Sequence, residues 1–310
     1  MRVLVTSNSF GKFDDAPLKR MRDRGWEVVG NRYGRIMSEE EMEGEVPGID
    51  AIIAGSDPIS SAVLSHADSL KIISRYGVGI DNIDVDVCQE RGIVVKNCPG
   101  CNTEAVADYA VGLMLDVLRH ICNVDASLKR NVWKKETGLD LCHKTVGVIG
   151  LGGIGRNVIQ RLQGFGCTFL GFDPYADEAW CAEHGVELVN TDDIFKQSDV
   201  ITLHAPGNSD GSPLIGFREL GLMKDSAVLI NTARASLVDE DALVDALKAH
   251  QIYGYGTDVF AQEPQANPAF IGLDNVVLSP HMAAVTVEAI NKMTHQAVDN
   301  LFDYFEGKDE

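Results

Sequence analysis

Short apolar runs alternate with amphipathic stretches along the whole chain. Arg2-Val-Leu-Val-Thr6 reads as a strand, 16–25 as a helix with charged faces, and Trp26-Glu-Val-Val29 as a second strand. Asp50-Ala-Ile-Ile-Ala54, Lys71-Ile-Ile-Ser74 and Ile93-Val-Val-Lys96 continue the series, separated by helical stretches at 61–69 and 85–91. Strands alternating with helices predict a parallel sheet covered on both faces. This first unit ends near Cys98. From Asn102-Thr103 a strongly apolar segment with helical spacing runs to Leu118. Asn102 or Thr103 can cap it, and its place between two α/β units makes it a candidate hinge and subunit interface. Residues 129–141 then read as an exposed arm in which Trp133 is the large apolar group. A second α/β series follows, with strands at 145–149, 167–172, 199–204, 227–231, 253–258 and 275–279, and a final helix at 287–306 closes the chain.

One junction carries more than alternation. In Thr145-Val-Gly-Val-Ile-Gly150-Leu-Gly152-Gly153-Ile154-Gly155 a buried strand breaks and becomes a helix, with glycines spaced G-x-G-x-x-G. Gly150 makes the tight turn, Gly152 lets a pyrophosphate approach the backbone, and Gly155 lets the helix pack on the strand. The free N–H groups of the new helix's first turn, at Gly153 and Ile154, face the phosphates with the positive end of the helix dipole. Taken alone, the motif also fits a plain strand–turn–helix. The next strand, however, ends on Asp173, where a carboxylate can accept hydrogen bonds from the adenosine ribose hydroxyls. It would repel a 2′-phosphate, and Pro174-Tyr175 supplies no arginine to neutralise one, so NAD is expected over NADP.

Composition narrows the class. A chain of 310 residues is long enough for two domains, each with a sizeable core. No run of eighteen apolar residues is present and the N-terminus has no basic-then-apolar signal region, so no membrane span is expected. A net charge of -19 with no basic block argues against nucleic acid and anionic membranes as partners. An anionic substrate must then be caught by a few local cations and backbone amides. Seven cysteines, an odd number scattered through apparent cores, suit a reducing cytoplasm. Cys98-Pro-Gly-Cys101 is a C-x-x-C, but it has neither a thioredoxin-like setting nor a second C-x-x-C to complete a zinc site, so no metal is expected.

In open α/β sheets ligands sit beyond the carboxyl ends of the strands. Those ends carry Asp173, His204 before Ala-Pro206, Thr232-Ala-Arg234, Asp258 and His281 after Ser279-Pro280, with Glu263 a short way beyond Asp258. A nicotinamide enzyme acting on a 2-oxo acid needs three further groups. It needs a cation that holds the carboxylate and polarises the carbonyl, and a bidentate arginine suits this. It needs a proton donor of histidine's pKa, and a carboxylate that fixes the histidine tautomer and raises that pKa. Arg234, His281 and Glu263 supply that set. Each has a plain structural explanation by itself, as a helix-start arginine, a turn histidine and a solvated loop acid. Together, at the strand ends of one nucleotide-binding sheet, they read as catalytic, while His204 reads as lining the cofactor with Pro206 and Thr232.

These motifs, with Gly77-Val-Gly79-Ile-Asp-Asn-Ile-Asp84, Asn97-Cys-Pro-Gly-Cys-Asn102-Thr and Leu222-Met-Lys-Asp-Ser-Ala-Val-Leu-Ile-Asn-Thr-Ala-Arg234, occur in order over nearly the full length. In them the chain resembles the D-2-hydroxyacid dehydrogenases, in style the D-3-phosphoglycerate dehydrogenases of serine synthesis. The resemblance implies two doubly wound parallel-sheet domains, a Rossmann-type NAD-binding domain at 99–284 and a flavodoxin-like substrate domain at 1–98 and 285–310. It also implies a cleft that closes over substrate, with the Val78 and Gly79 amides helping Arg234 hold the carboxylate and Asn102 nearby. Asp258 would contact the nicotinamide carboxamide, and the nucleotide domain would form a homodimer through the long helix and the Trp133 arm. Hydroxypyruvate or glyoxylate reduction is the alternative substrate reading, and an NAD-sensing corepressor is the alternative of another class. The sequence departs from the family at Ala235, at Met282-Ala-Ala and at Gly55-Ser-Asp57, where some phosphoglycerate enzymes bring in an arginine. Arg75, Lys134 and Lys135 remain as cations for a phosphate or carboxylate. The chain stops just after its last helix, so no serine-sensing C-terminal domain is expected.

Overall fold

The computed structural model describes residues 1–208 and 210–307. The chain divides into two compact units, Met1–Asn102 together with the segment from Ala284 onward, and Thr103–Ala283.

The first unit is built on five strands: β1 (Arg2–Val5), β2 (Glu27–Gly30), β3 (Ala51–Ala54), β4 (Ile72–Arg75) and β5 (Val94–Lys96). They pair in the order β2-β1-β3-β4-β5, all parallel. Every residue of β3, the central strand, is buried, which is why it reads as an unbroken apolar run. The closing helix Val287–Glu306 packs on β3 and β4. It does so through Ile290, Met293, Ala297, Val298 and Leu301, a stripe at helical spacing, while Trp26 stacks on its Phe302 at 4.8 Å.

The second unit carries seven strands: β6 (Thr145–Ile149), β7 (Thr168–Phe172), β8 (Val186–Leu188), β9 (Val200–Leu203), β10 (Val228–Asn231), β11 (Gly254–Thr257) and β12 (Val276–Leu278). The order β12-β11-β10-β9-β6-β7-β8 is again wholly parallel. Counted from β6, the order is 3-2-1-4-5-6-7, the doubly wound arrangement with one added strand. Winding reverses between β6 and β9, and ligands of such sheets bind at that reversal.

Local differences from the sequence expectations have local causes. The helix expected from residue 61 ends at His66, because the Ala67 N–H turns back to the Leu64 carbonyl. Asn102 does not spend its side-chain oxygen on a cap; that atom is buried without a partner among the described residues. A further helix, Ile121–Lys129, precedes the expected arm and ends at its first residue, and Trp133 within the arm is 83% exposed. A helix at Glu39–Glu45 is closed by a reciprocal capping box between Ser38 and Glu41.

Candidate active site

The turn after β6 is shaped by what a side chain would strike. Gly150 has φ +95°, and a Cβ there would lie 2.5 Å from the His204 carbonyl carbon. This turn therefore lies against the end of β9, at the winding reversal. A Cβ on Gly155 would sit 2.0 Å from the Gly150 carbonyl oxygen, so only glycine allows the helix Gly153–Leu162 to start this close to its strand. Gly152, the residue before that helix, faces open space and brings no side chain to cap it. Its first-turn N–H groups are thus left for an anion.

Asp173 stands where β7 ends. One carboxylate oxygen accepts from the Leu151 N–H at 2.8 Å and the other from the Tyr175 N–H at 2.8 Å. The acid therefore fastens the glycine turn. On the neighbouring strands, His204 Nδ1 and Thr232 Oγ1 are buried with no hydrogen-bond partner among the described residues. Such orphaned polar atoms are rare unless a ligand completes them. Burial holds the His204 imidazole down to about 3, and its Nε2 is 2.9 Å from Thr202 Oγ1. It is neutral at physiological pH and suited to hydrogen bonding, not to moving protons. An open glycine turn, an acid at the second strand and two orphaned atoms fit a dinucleotide.

Farther along the same edge, His281 Nδ1 lies 2.7 Å from Glu263 Oε2. The Glu263 bond, opposed by burial, raises the His281 pKa. Burial pushes Glu263 up, but the bond to His281, the charges of His281 and Arg234 and the Phe260 N–H together outweigh it and leave Glu263 lowered. The Phe260 N–H donates to the other Glu263 oxygen at 3.2 Å, which fixes the carboxylate. Arg234 is close enough to exert its charge on both, lowering each pKa. It follows β10, where Asn231 Nδ2 donates to the Arg234 carbonyl at 2.8 Å and Asn231 Oδ1 accepts from the Ala233 N–H at 3.0 Å. The fold thus brings Arg234, Glu263 and His281 to one place. Among the described residues no group of His, Cys, Asp and Glu is arranged to hold a metal, and no helix is long and apolar enough to cross a membrane.

Residues 111–283 match the family model described as D-isomer specific 2-hydroxyacid dehydrogenase, NAD binding domain. The chain belongs to that family. It is 40% identical over 294 residues to the D-3-phosphoglycerate dehydrogenase of Archaeoglobus fulgidus, covering 93% of this chain and 54% of that one. It therefore spans about half the length of that relative. It is 36% identical over 272 residues to the hydroxypyruvate reductase of Thermotoga maritima, covering 86% and 88% of the two chains. The D-lactate dehydrogenase of Aquifex aeolicus, solved with NAD and lactic acid, superposes with a TM-score of 0.84 at 28% identity, covering 98% of this chain and 96% of that one.

In this dehydrogenase fold Asp258 has structural work at the histidine. It is 1% exposed and accepts from Ser279 Oγ at 2.6 Å, the Met282 N–H at 2.8 Å and the Ala283 N–H at 2.7 Å. Those donors flank His281, which is itself held at φ +51°, a region few non-glycine residues occupy. Asp258 therefore clamps the histidine turn, and Ser279 has a part in it that its sequence position did not announce.

In the first unit, Arg75 lies beneath the loop that follows it. Its Nε donates to the Gly79 carbonyl at 2.8 Å, and its Nη1 to the Tyr76 carbonyl at 2.6 Å and the Ala54 carbonyl at 3.1 Å. It props the loop and lends it positive charge. The Val78 and Gly79 N–H groups find no backbone acceptor among the described residues, as an anion-binding loop requires. Lys134 of the arm is paired with Glu136 at 2.5 Å. Cys98 and Cys101 are free and buried, and burial pushes the Cys98 thiol up to about 12, which leaves it unreactive.

Proposed function

We propose that the protein interconverts a D-2-hydroxy acid and its 2-oxo acid with NAD as coenzyme. The observation that carries this reading is the 2.7 Å His281–Glu263 pair with Arg234 beside it, at the carboxyl edge of a dinucleotide-binding sheet. Bound NAD supplies the hydride exchange with the substrate C2. Gly150, Gly152, Gly153, Ile154, Gly155 and Asp173 hold the coenzyme, with His204, Pro206 and Thr232 completing the pocket. Arg234 grips the substrate carboxylate and polarises the C2 carbonyl. His281 carries its proton on Nε2, because Glu263 holds Nδ1, and delivers it to the forming alkoxide in reduction. In oxidation the same nitrogen takes the hydroxyl proton. Within the first unit, the Val78 and Gly79 amides over Arg75 serve as a carboxylate cradle, with Asn102 a further polar contact.

The Asp258 assignment to the nicotinamide carboxamide becomes secondary to its clamp on the histidine turn, although its carboxylate retains lone pairs for one more donor. The exposed arm around Trp133 supports a homodimer through the nucleotide domain, which light scattering of the purified protein tests. The function is tested by following NADH and NADPH oxidation with pyruvate, hydroxypyruvate, glyoxylate and phosphohydroxypyruvate. The reading expects turnover of at least one acid with NADH, and little with NADPH. Tight NADH binding with no turnover of any acid would refute it and leave a binding protein.

A further inference from the structure

Three loops interlock at the carboxyl edge of the five-stranded sheet. Thr6, after β1, accepts the Gly55 N–H on its Oγ1 at 2.7 Å. Asn82 Nδ2 donates to the Gly55 carbonyl at 3.1 Å and to the Asp57 carbonyl at 2.7 Å. Arg75 ties the Ala54 carbonyl to the anion-binding loop at Val78 and Gly79. Loops 6–10, 54–57 and 75–82 therefore form one surface, and whatever the amides of Val78 and Gly79 hold has the other two loops as neighbours.

The charge of this surface is informative. A Cβ on Gly55 would lie 3.0 Å from Asp57 Oδ2 and 3.1 Å from Thr6 Oγ1, so a long cationic side chain cannot be raised there without displacing both. Asp57 is a carboxylate only 2% exposed, fixed by the Met37 N–H at 2.8 Å, and it sets negative charge beneath the loop. The nearby arginines are committed elsewhere. Arg32 pairs with Glu45 at 2.7 Å, Arg35 with Glu41 at 2.6 Å, and Arg75 spends its Nε and Nη1 donors on carbonyls. A phosphate dianion here would meet a buried acid, and among the described residues these three arginines are turned toward carboxylates and backbone carbonyls.

Hydroxyls stand in the same place. Ser7 Oγ and Ser9 Oγ are 3.1 Å apart, both half-buried, with exposed Asn8 between them. Buried Phe10 anchors the loop by meeting the Tyr76 ring edge-on at 5.7 Å. The two hydroxyls bond to each other and Ser9 also engages the Tyr76 hydroxyl, which leaves chiefly lone pairs toward the loop surface, complementary to an alcohol O–H and not to a dianion.

We propose that the end of the substrate remote from the carboxylate is uncharged and hydroxyl-bearing, and that Ser7 and Ser9 receive it. The favoured substrate is then an unphosphorylated 2-oxo acid with a hydroxyl at C3 or beyond. This rests on the dehydrogenase reading above and adds the substrate class to it.

The test is kcat/KM with NADH for three acids that differ only at C3: pyruvate, hydroxypyruvate and 3-phosphohydroxypyruvate. One or two added hydrogen bonds in a half-exposed setting correspond to about tenfold. The proposal expects hydroxypyruvate to exceed each of the others by about that factor or more. In Ser7→Ala and Ser9→Ala the preference over pyruvate falls toward unity, through a raised KM for hydroxypyruvate more than through kcat. Preference for the phosphorylated acid, or a preference over pyruvate that survives both substitutions, overturns the proposal and leaves the dehydrogenase reading intact. NADH binding with no turnover of these three acids or of glyoxylate overturns both.

Discussion

Asp258→Ala tests how the catalytic turn is held. The substitution removes an acceptor used by Ser279 Oγ and by the N–H groups of Met282 and Ala283. A serine hydroxyl can rotate to another partner, but the two N–H groups are fixed by the backbone. Met282 is partly exposed, so water recovers some of its loss, whereas Ala283 is 4% exposed. An unsatisfied buried donor costs about 1–3 kcal/mol, giving roughly 2–4 kcal/mol for the pair. For a domain of this size, about 2–4 °C of melting temperature accompanies each kcal/mol, so a drop of roughly 5–15 °C is expected. Because the freed turn carries His281, turnover should fall by about 100-fold, the typical effect of an ångström-scale misplacement. Asp258→Asn keeps one acceptor oxygen and should recover part of both losses. Differential scanning calorimetry and NADH oxidation on the same preparations read the two effects. A melting temperature within about 2 °C of the parent, with turnover within about twofold, would refute the clamp.

Further predictions concern the remaining site residues. In the proposed mechanism reduction requires protonated His281, whose pKa is raised chiefly by Glu263, so kcat/KM for reduction should fall as pH rises through that pKa. Glu263→Gln removes the raising charge and should move the falling limb to lower pH; an unmoved limb would disconnect Glu263 from the proton donor. Gly155→Ala places a methyl 2.0 Å from the Gly150 carbonyl oxygen, and should abolish NADH binding in a fluorescence titration or prevent folding seen by circular dichroism. A folded variant with normal NADH affinity would show that the helix start has room to move. Asp173→Ala removes both the proposed ribose acceptor and the bond to the Leu151 N–H. It should narrow the kcat/KM preference for NADH over NADPH, and an unchanged ratio would remove Asp173 from coenzyme choice.

Much of the frame was legible because it depends on local pattern. Buried parallel strands such as Ala51–Ala54 and Val228–Asn231 are apolar at every or nearly every position, and the closing helix shows its stripe at 290, 293, 297, 298 and 301. The glycine spacing after β6 is legible as a local motif, and Gly155 answers a steric demand five residues away at the Gly150 carbonyl, although the demand on Gly150 comes from His204 at the end of β9. What was not legible depends on tertiary placement. Nothing near Asp258 in sequence says that its acceptors serve donors more than twenty residues later. Arg75 looked like a cation available to substrate, but two of its nitrogens prop the loop from below. The helix Ile121–Lys129 follows His120 in a left-handed conformation without a side-chain cap, so it lacks the usual start signal. The Ser38–Glu41 capping box did mark the helix Glu39–Glu45, a signal the apolar pattern alone passes over.

The central claim is that His281 moves the substrate proton at a site that binds NADH without it. The most direct test compares His281→Ala with the parent protein in paired measurements of NADH affinity and of turnover on the best 2-oxo acid. The account predicts unchanged NADH affinity and a loss of turnover of about 100- to 10,000-fold, the range of general acid catalysis. Turnover within a few-fold of the parent, at equal NADH affinity, would contradict it.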